Sequence, residues 1–402
     1  MNKVSIVKCQ NYEYDEVKKV LIDSFNNIGG IDKLVKKGMN IALKPNLVMA
    51  LPPSKAATTH PVLIHALTDL LIDQGAVVSI VESPGGPYIK TSLKGVYKTC
   101  GLQDLTNKTK LTLNYDLDVE VVKIKDGLLL KKIEILKPLI DADLIINLPK
   151  LKSHGQMSYT GAVKNMFGAV PGAKKAEYHM RMAQYDHFAN AMIDIFLSTK
   201  PKLSIMDAVV GMEGNGPSAG NPRKIGFIGV SENAFDLDYA CLHLVGVKPE
   251  SIPIIEQGIK RELCSSSIDQ IELCGSDLKD IKKITDFDIP EKDMLNSILF
   301  SDNKLLKLFS KWIKPKPVFS SELCVGCQIC AENCPVKIIT VKNHDPEYDV
   351  NKCIGCFCCQ ELCPKQAVTV KRLPKSVQST LNTAFLISPI IISNLTFWKK
   401  KK

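Results

Sequence analysis

Tryptophan occurs only 2 times in the chain, and aromatic residues make up 6% of it. No aromatic platform for stacking bases and no known DNA-binding motif is visible, which argues against nucleic acid as a partner. No Gly-x4-Gly-Lys-Ser/Thr sequence occurs, and no Gly-x-Gly-x-x-Gly follows the first apolar run. Nucleotide hydrolysis and ordinary dinucleotide binding are therefore poorly supported. The opening Met1 to Lys8 lacks a long apolar stretch and soon meets Glu13, Asp15 and Glu16, so no secretory signal is expected. His60, His154, His179 and His187 follow no standard metal-ligand spacing. Asp207, Asp236 and Asp238 could bind cations or cap helices.

Cysteine, by contrast, is abundant, with 14 in 402 residues. Eight form two copies of one spelling, Cys324-x2-Cys327-x2-Cys330-x3-Cys334-Pro335 and Cys353-x2-Cys356-x2-Cys359-x3-Cys363-Pro364. Two-residue gaps let three thiolates converge on one iron–sulfur cube, while the proline sends the fourth outward. In bacterial-type ferredoxins that fourth cysteine ligates the other cluster. The expected sets are Cys324, Cys327, Cys330 and Cys363 for one [4Fe-4S] cluster, and Cys353, Cys356, Cys359 and Cys334 for its neighbour. Structural zinc is the alternative, but zinc sites favour separated Cys-x2-Cys pairs. The segment resembles the two-cluster ferredoxin domain over about residues 318 to 371. A ninth cysteine, Cys358, departs from the pattern; it is either a buried spare or a competitor of Cys359 for iron. Cys9, Cys100, Cys241, Cys264 and Cys274 read as packed thiols. Thiolate-held clusters need a reducing compartment, so a cytoplasmic location is expected.

The net charge of +10 is unevenly placed. Residues 1 to 300 carry +1, 301 to 320 carry +4, 321 to 370 carry −2 and 371 to 402 carry +7. In the first basic flank Lys304, Lys307, Lys311 and Lys314 recur at helical spacing opposite Leu305, Leu308, Phe309 and Trp312, the pattern of an amphipathic helix. The tail after Lys375 is uncharged to Trp398 and ends on four lysines, but Pro389 interrupts its apolar part, so a true membrane span is not expected. Segments 304–314 and 381–402 would suit peripheral contact with an anionic membrane face. They would equally suit packing on the protein, or steering of an acidic redox partner.

From Lys3 to about residue 290, apolar β-like runs alternate with helical patterns. This predicts an α/β body with a mainly parallel sheet, followed by a linker at 291–317, a small α+β ferredoxin-like domain at 318–371 and a tail. Strands are expected at 4–7, 41–43, 77–81, 144–148, 203–206 and 225–230, and helices at 15–25, 61–73 and 235–244. Residues 105 to 135 read ambiguously, as a small antiparallel insertion. Four polar loops follow these strands: Lys44 to Asn46, Glu82 to Gly86, Pro149 to Gly155 and Gly211 to Pro217. Ligands of open α/β sheets bind where such loops gather. The expected pocket leans cationic, with Lys44, Lys150, Lys152, His154, Lys164 and Asn165, which favours a phosphate or carboxylate.

The stretches Leu43-Lys44-Pro45-Asn46-Leu47-Val48, Asn147 to Gly155, Thr160 to Gly168 and Met206 to Pro217 occur in order. On them, about residues 40 to 250 resemble the domain-of-unknown-function 362 family. Members are often joined to a ferredoxin module, and the resemblance implies a shared fold without a settled reaction.

The preferred expectation is an iron–sulfur oxidoreductase passing electrons between a redox protein and a bound anionic small molecule. Lys44, Asn46, Lys150, Asn165, Glu213 and Asn215 would bind the anion. Lys152 and Lys164 join the catalytic set, with His154 as proton donor because its ordinary pKa lies near neutrality. The alternative is an electron carrier or docking adaptor without chemistry of its own.

Overall fold

The computed structural model describes residues 1–277, 279, 281, 284–291, 314–372, 374 and 377. The body opens with β1 (Asn2–Lys8), α1 (Tyr14–Asn27), α2 (Ile31–Leu34), β2 (Asn40–Pro45), α3 (Pro61–Asp73), β3 (Val77–Ile80), α4 (Lys90–Thr99) and β4 (Leu111–Leu113). An antiparallel hairpin of β5 (Val119–Lys123) and β6 (Lys132–Leu136) is followed by α5 (Lys137–Ile140) and β7 (Leu144–Leu148). Then come β8 (Lys150–His154), β9 (Ser158–Thr160), α6 (Ala162–Asn165), α7 (Gly172–Arg181) and α8 (Tyr185–Thr199). The body closes with β10 (Leu203–Glu213), β11 (Asn221–Ser231), α9 (Ala234–Leu244), α10 (Pro253–Lys260) and β12 (Ile271–Gly275).

Local chemistry sets the helix starts. Pro61 opens α3 with a φ already suited to a helix, and the His60 side chain accepts from the Val62 N–H. Asn233 caps α9 by accepting from the N–H groups of Phe235 and Asp236.

The strands form a sheet in the order β12-β1-β11-β10-β7-β2-β3-β4. From β10 through β7, β2 and β3 to β4 every pairing is parallel, as is β12 on β1. Only β11 runs against both its neighbours in that series. The body is thus α/β with a mainly parallel sheet. Side-chain alternation divides the core in two. Ile41, Leu43, Leu144, Ile146 and Leu148 pack with α1, α3 and α4 on one face, while Ala42 and Ile145 join the helices α8 and α9 on the other.

Two segments expected as loops are strands. Lys44 and Pro45 end β2, and the polar run Lys150 to His154 is β8. The long strand β10 accounts for the second difference. Its start pairs with β7, its ladder with β11 shifts register between Ala208 and Val210, and its far half pairs with β8. The polar side chains of β8 are fully buried, so hydrogen-bond partners take the place of apolar packing.

The second domain contains β13 (Lys316–Phe319), α11 (Ile329–Glu332), β14 (Ile339–Lys342), β15 (Asp345–Tyr348), α12 (Cys358–Glu361) and β16 (Val368–Lys371). Strand β13 pairs antiparallel with β16, and β14 with β15. Each cysteine run therefore makes a short helix followed by a strand, and Cys330, Cys334, Cys359, Ile339 and Val368 form the small core. Apart from Lys314, the basic segment 304–314 lies outside the described residues, as does the tail 381–402. No helix among the described residues is long and apolar enough to cross a membrane.

Candidate functional site

The eight motif cysteines separate into two cavities. One is lined by Cys324, Cys327, Cys330 and Cys363, together with Phe319, Val325, Ile329 and Val341. The other is lined by Cys334, Cys353, Cys356 and Cys359, together with Ile338, Ile339, Ile354 and Phe357. In each, three cysteines come from one run and the fourth from the other, and all eight thiols are free of disulfides. Apolar walls around four thiolate donors fit an iron–sulfur cube. Zinc sites favour separated Cys-x2-Cys pairs, whereas here each set joins three cysteines of one run to the fourth of the other. The sets differ in exposure, since Cys327 is exposed whereas Cys356 and Cys359 are buried. Cys358 lines neither cavity; it is buried and faces the body beside Lys175 and His179.

Hydrogen bonds fasten the second domain to loops of the body. Gln360 Nε2 donates to Asn215 O at 2.7 Å, Ser218 Oγ to Glu361 O at 2.7 Å and Gln366 Nε2 to Ser218 O at 3.0 Å. Arg372 donates to Gly155 O at 2.9 Å and lies over the Phe357 ring. The turn around Asn215 thus seats the ferredoxin-like domain.

Between the two domains lies a pocket lined by Asn46, Ser83, Lys152, His154, Lys164, Lys175 and Glu361, among others. Its floor is α6, held by Asp238, whose carboxylate accepts from Ala162 N at 2.6 Å and Val163 N at 3.0 Å. Burial pushes the Asp238 pKa up to about 7 against these bonds. Two glycines permit the close packing: a Cβ at Gly161 would strike Asp238 and Tyr159, and one at Gly168 would strike Glu82 and Lys44.

The expected cations have different fates. Lys44 is fully buried, and its Nζ contacts Glu82 at 2.6 Å, Pro45 O at 2.9 Å and Asn165 O at 3.1 Å. Lys150 is likewise enclosed, bonded to Asp207 at 2.9 Å and to the Tyr12 hydroxyl at 2.8 Å. For both, burial lowers the pKa and the partner carboxylate opposes it. Neither lines the pocket, so their expected contact with an anion is corrected to structural ion pairing. Glu213 is also outside; it pairs with Arg223 at 3.3 Å.

Lys152, His154 and Lys164 are brought together, as are Asn46 and Asn165. Lys152 donates to Asn46 Oδ1 at 2.9 Å and Ala57 O at 2.6 Å but has no carboxylate in contact among the described residues. Its burial pulls the pKa down to about 7. Lys164 is 7% exposed, lies over the Phe167 ring and has no hydrogen bond among the described residues. His154 Nδ1 accepts from the N–H groups of Gln156 and Met157 at 3.1 and 3.2 Å, which leaves its proton on Nε2. Burial and the neighbouring lysines hold its pKa well below the usual value. The expected role of His154 as a proton donor with a near-neutral pKa is therefore corrected: it is a neutral N–H donor. Its Nε2 has no hydrogen-bond partner among the described residues and lies 3.8 Å from Glu361.

Sequence reasoning missed Lys175 and Glu361, and placed Glu82 only within a pocket loop without giving it a role. Lys175 donates to Ser83 O and, at 3.4 Å, to Pro84 O, and burial lowers it to about 8. It lies in a polar helix with no strand before it, and Glu361 sits inside the cysteine motif, so neither position carried a pocket signal.

Lys152 sets a pH dependence. Unfolded, it holds its proton up to an ordinary pKa of 10.5; folded, only to about 7. Between these values the unfolded state binds more protons, so this group makes stability rise with pH. Denaturant unfolding at pH 7 and pH 9 will show a shallower rise for Lys152→Met, the difference approaching about one proton.

Residues 41–243 match the family described as Domain of unknown function (DUF362), and residues 316–364 match a 4Fe-4S dicluster domain. The chain belongs to the DUF362 family and carries a ferredoxin-like 4Fe-4S-binding domain. A thylakoid-associated protein of Synechocystis sp. is 32% identical over 260 residues, covering 63% of this chain and 77% of that protein. Two solved structures resemble it more distantly. The lactate racemase apoprotein of Thermoanaerobacterium thermosaccharolyticum has a TM-score of 0.37 at 13% identity, covering 58% of this chain and 55% of its own. A Thermotoga maritima protein has a TM-score of 0.36 at 12% identity, covering 57% of each chain. This chain thus spans little more than half of either solved chain.

Proposed function

We propose that the protein is an iron–sulfur oxidoreductase in which two [4Fe-4S] clusters connect a one-electron redox protein to a small anion held in the interdomain pocket. One observation carries the reading. The four-residue helix α12 bears Cys359, a member of the second cysteine set, and Glu361, a wall of the pocket. Bound there, the clusters would supply electrons singly. Lys164 and Lys175 would hold the anion, and His154 would donate a hydrogen bond from Nε2. Lys152, lowered to about 7, would give or take the proton that accompanies electron transfer. The basic flanks, together with the thylakoid association of the Synechocystis relative, support a place against a membrane surface.

The test is anaerobic reoxidation of dithionite-reduced protein, followed by absorbance, with small carboxylates and phosphates as acceptors. At least one will speed reoxidation, and Lys164→Gln will reduce that effect about tenfold or more, the consequence of losing a buried charged contact. If no anion acts, or the variant behaves as the parent, the body is a docking adaptor for an electron carrier.

A further inference from the structure

The pocket presents donors and an acceptor that do not satisfy one another. Lys164 Nζ and His154 Nε2 have no hydrogen-bond partner among the described residues, and both side chains are more than nine-tenths buried. The Glu361 carboxylate also lines the pocket and accepts no hydrogen bond from a described residue. Its distance of 3.8 Å to His154 Nε2 is too long for one. The other acidic wall residue, Glu82, is already filled: Oε2 takes Lys44 at 2.6 Å and Leu47 N at 3.3 Å, and Oε1 takes Ser83 N at 2.9 Å.

A plain anion would satisfy Lys164 and His154 but bring like charge against Glu361, and a plain cation would do the reverse. We infer that the ligand is a small carboxylate carrying a hydroxyl or ammonium group beside the carboxylate, with the anionic end on Lys164 and His154 and the donor group on Glu361. This rests on the anion-pocket reading above and adds the ligand class. Glu361 is then a specificity determinant placed in the body's pocket by the ferredoxin-like domain, so the pocket is complete only with that domain seated.

The test is calorimetric titration of the full, iron-loaded chain, without oxygen, with acetate, glycolate and glycine. Glycolate or glycine will bind about tenfold or more tightly than acetate, as expected for one hydrogen bond to a charged group. Glu361→Ala will bring the ratio near one and tighten acetate, while Lys164→Gln weakens all three. The wild-type comparison stands even if a variant loads iron poorly. Equal binding of acetate, glycolate and glycine by the wild type, or a preference that survives Glu361→Ala, overturns the ligand class but leaves the anion pocket. Absence of binding by all three, or binding indifferent to Lys164→Gln, removes both.

Discussion

Cys334→Ala will damage the cluster of the other cysteine run. Cys334 belongs by sequence to the first run, yet it lines the cavity of Cys353, Cys356 and Cys359. With both cubes loaded the chain holds about eight irons, and loss of one cube leaves about four. Cys334→Ala and Cys359→Ala should therefore share one low-temperature EPR spectrum after reduction, that of the surviving first cube. Cys363→Ala and Cys330→Ala should share a different one. A Cys334→Ala spectrum identical to that of Cys330→Ala would overturn the exchange of fourth ligands. The structural reason lies in the Cys-Pro turn after each short helix, which points the fourth thiol toward the partner half of the domain.

Glu82→Gln has the second large effect, on the stability of the body. Glu82 and Lys44 form an ion pair with side chains 4% and 0% exposed. Removing one member leaves an unpaired charge without water, which costs about 3–5 kcal/mol. Replacing both by apolar residues, as in Lys44→Met with Glu82→Leu, should restore most of that loss, since buried pairs exchanged for packed apolar groups are often near neutral. Urea unfolding of the two single variants and the double variant checks this. A double variant as weak as Glu82→Gln would show that the hydrogen bonds from Leu47 and Ser83 to Glu82 matter more than the charge balance.

Much of the fold was legible because apolar runs of strand length alternate with helical periods. Every strand expected in the body appears, several longer than read and β3 one residue shorter, and the ambiguous stretch at 105–135 holds all but the last residue of the β5–β6 hairpin. Strand β8 was hidden because Lys-Leu-Lys-Ser-His looks like a solvated loop. Its lysines are buried against Asp207 and Asn46, carried there by residues distant in sequence.

The sequence alone determined the α/β body with its mainly parallel sheet and the repeated eight-cysteine motif of a 4Fe-4S-binding domain. These depend on spacing and periodicity, which are local properties of the chain. The tertiary structure decided which cations are available. Lys44 and Lys150 are held by carboxylates, whereas Lys164 has no such contact within 4 Å among the described residues, and Lys175 arrives from a helix without a motif. It also decided that Glu361 belongs to the body's pocket and that His154 stays neutral. Charge state and partner choice depend on burial and on distances between remote segments, which folding sets.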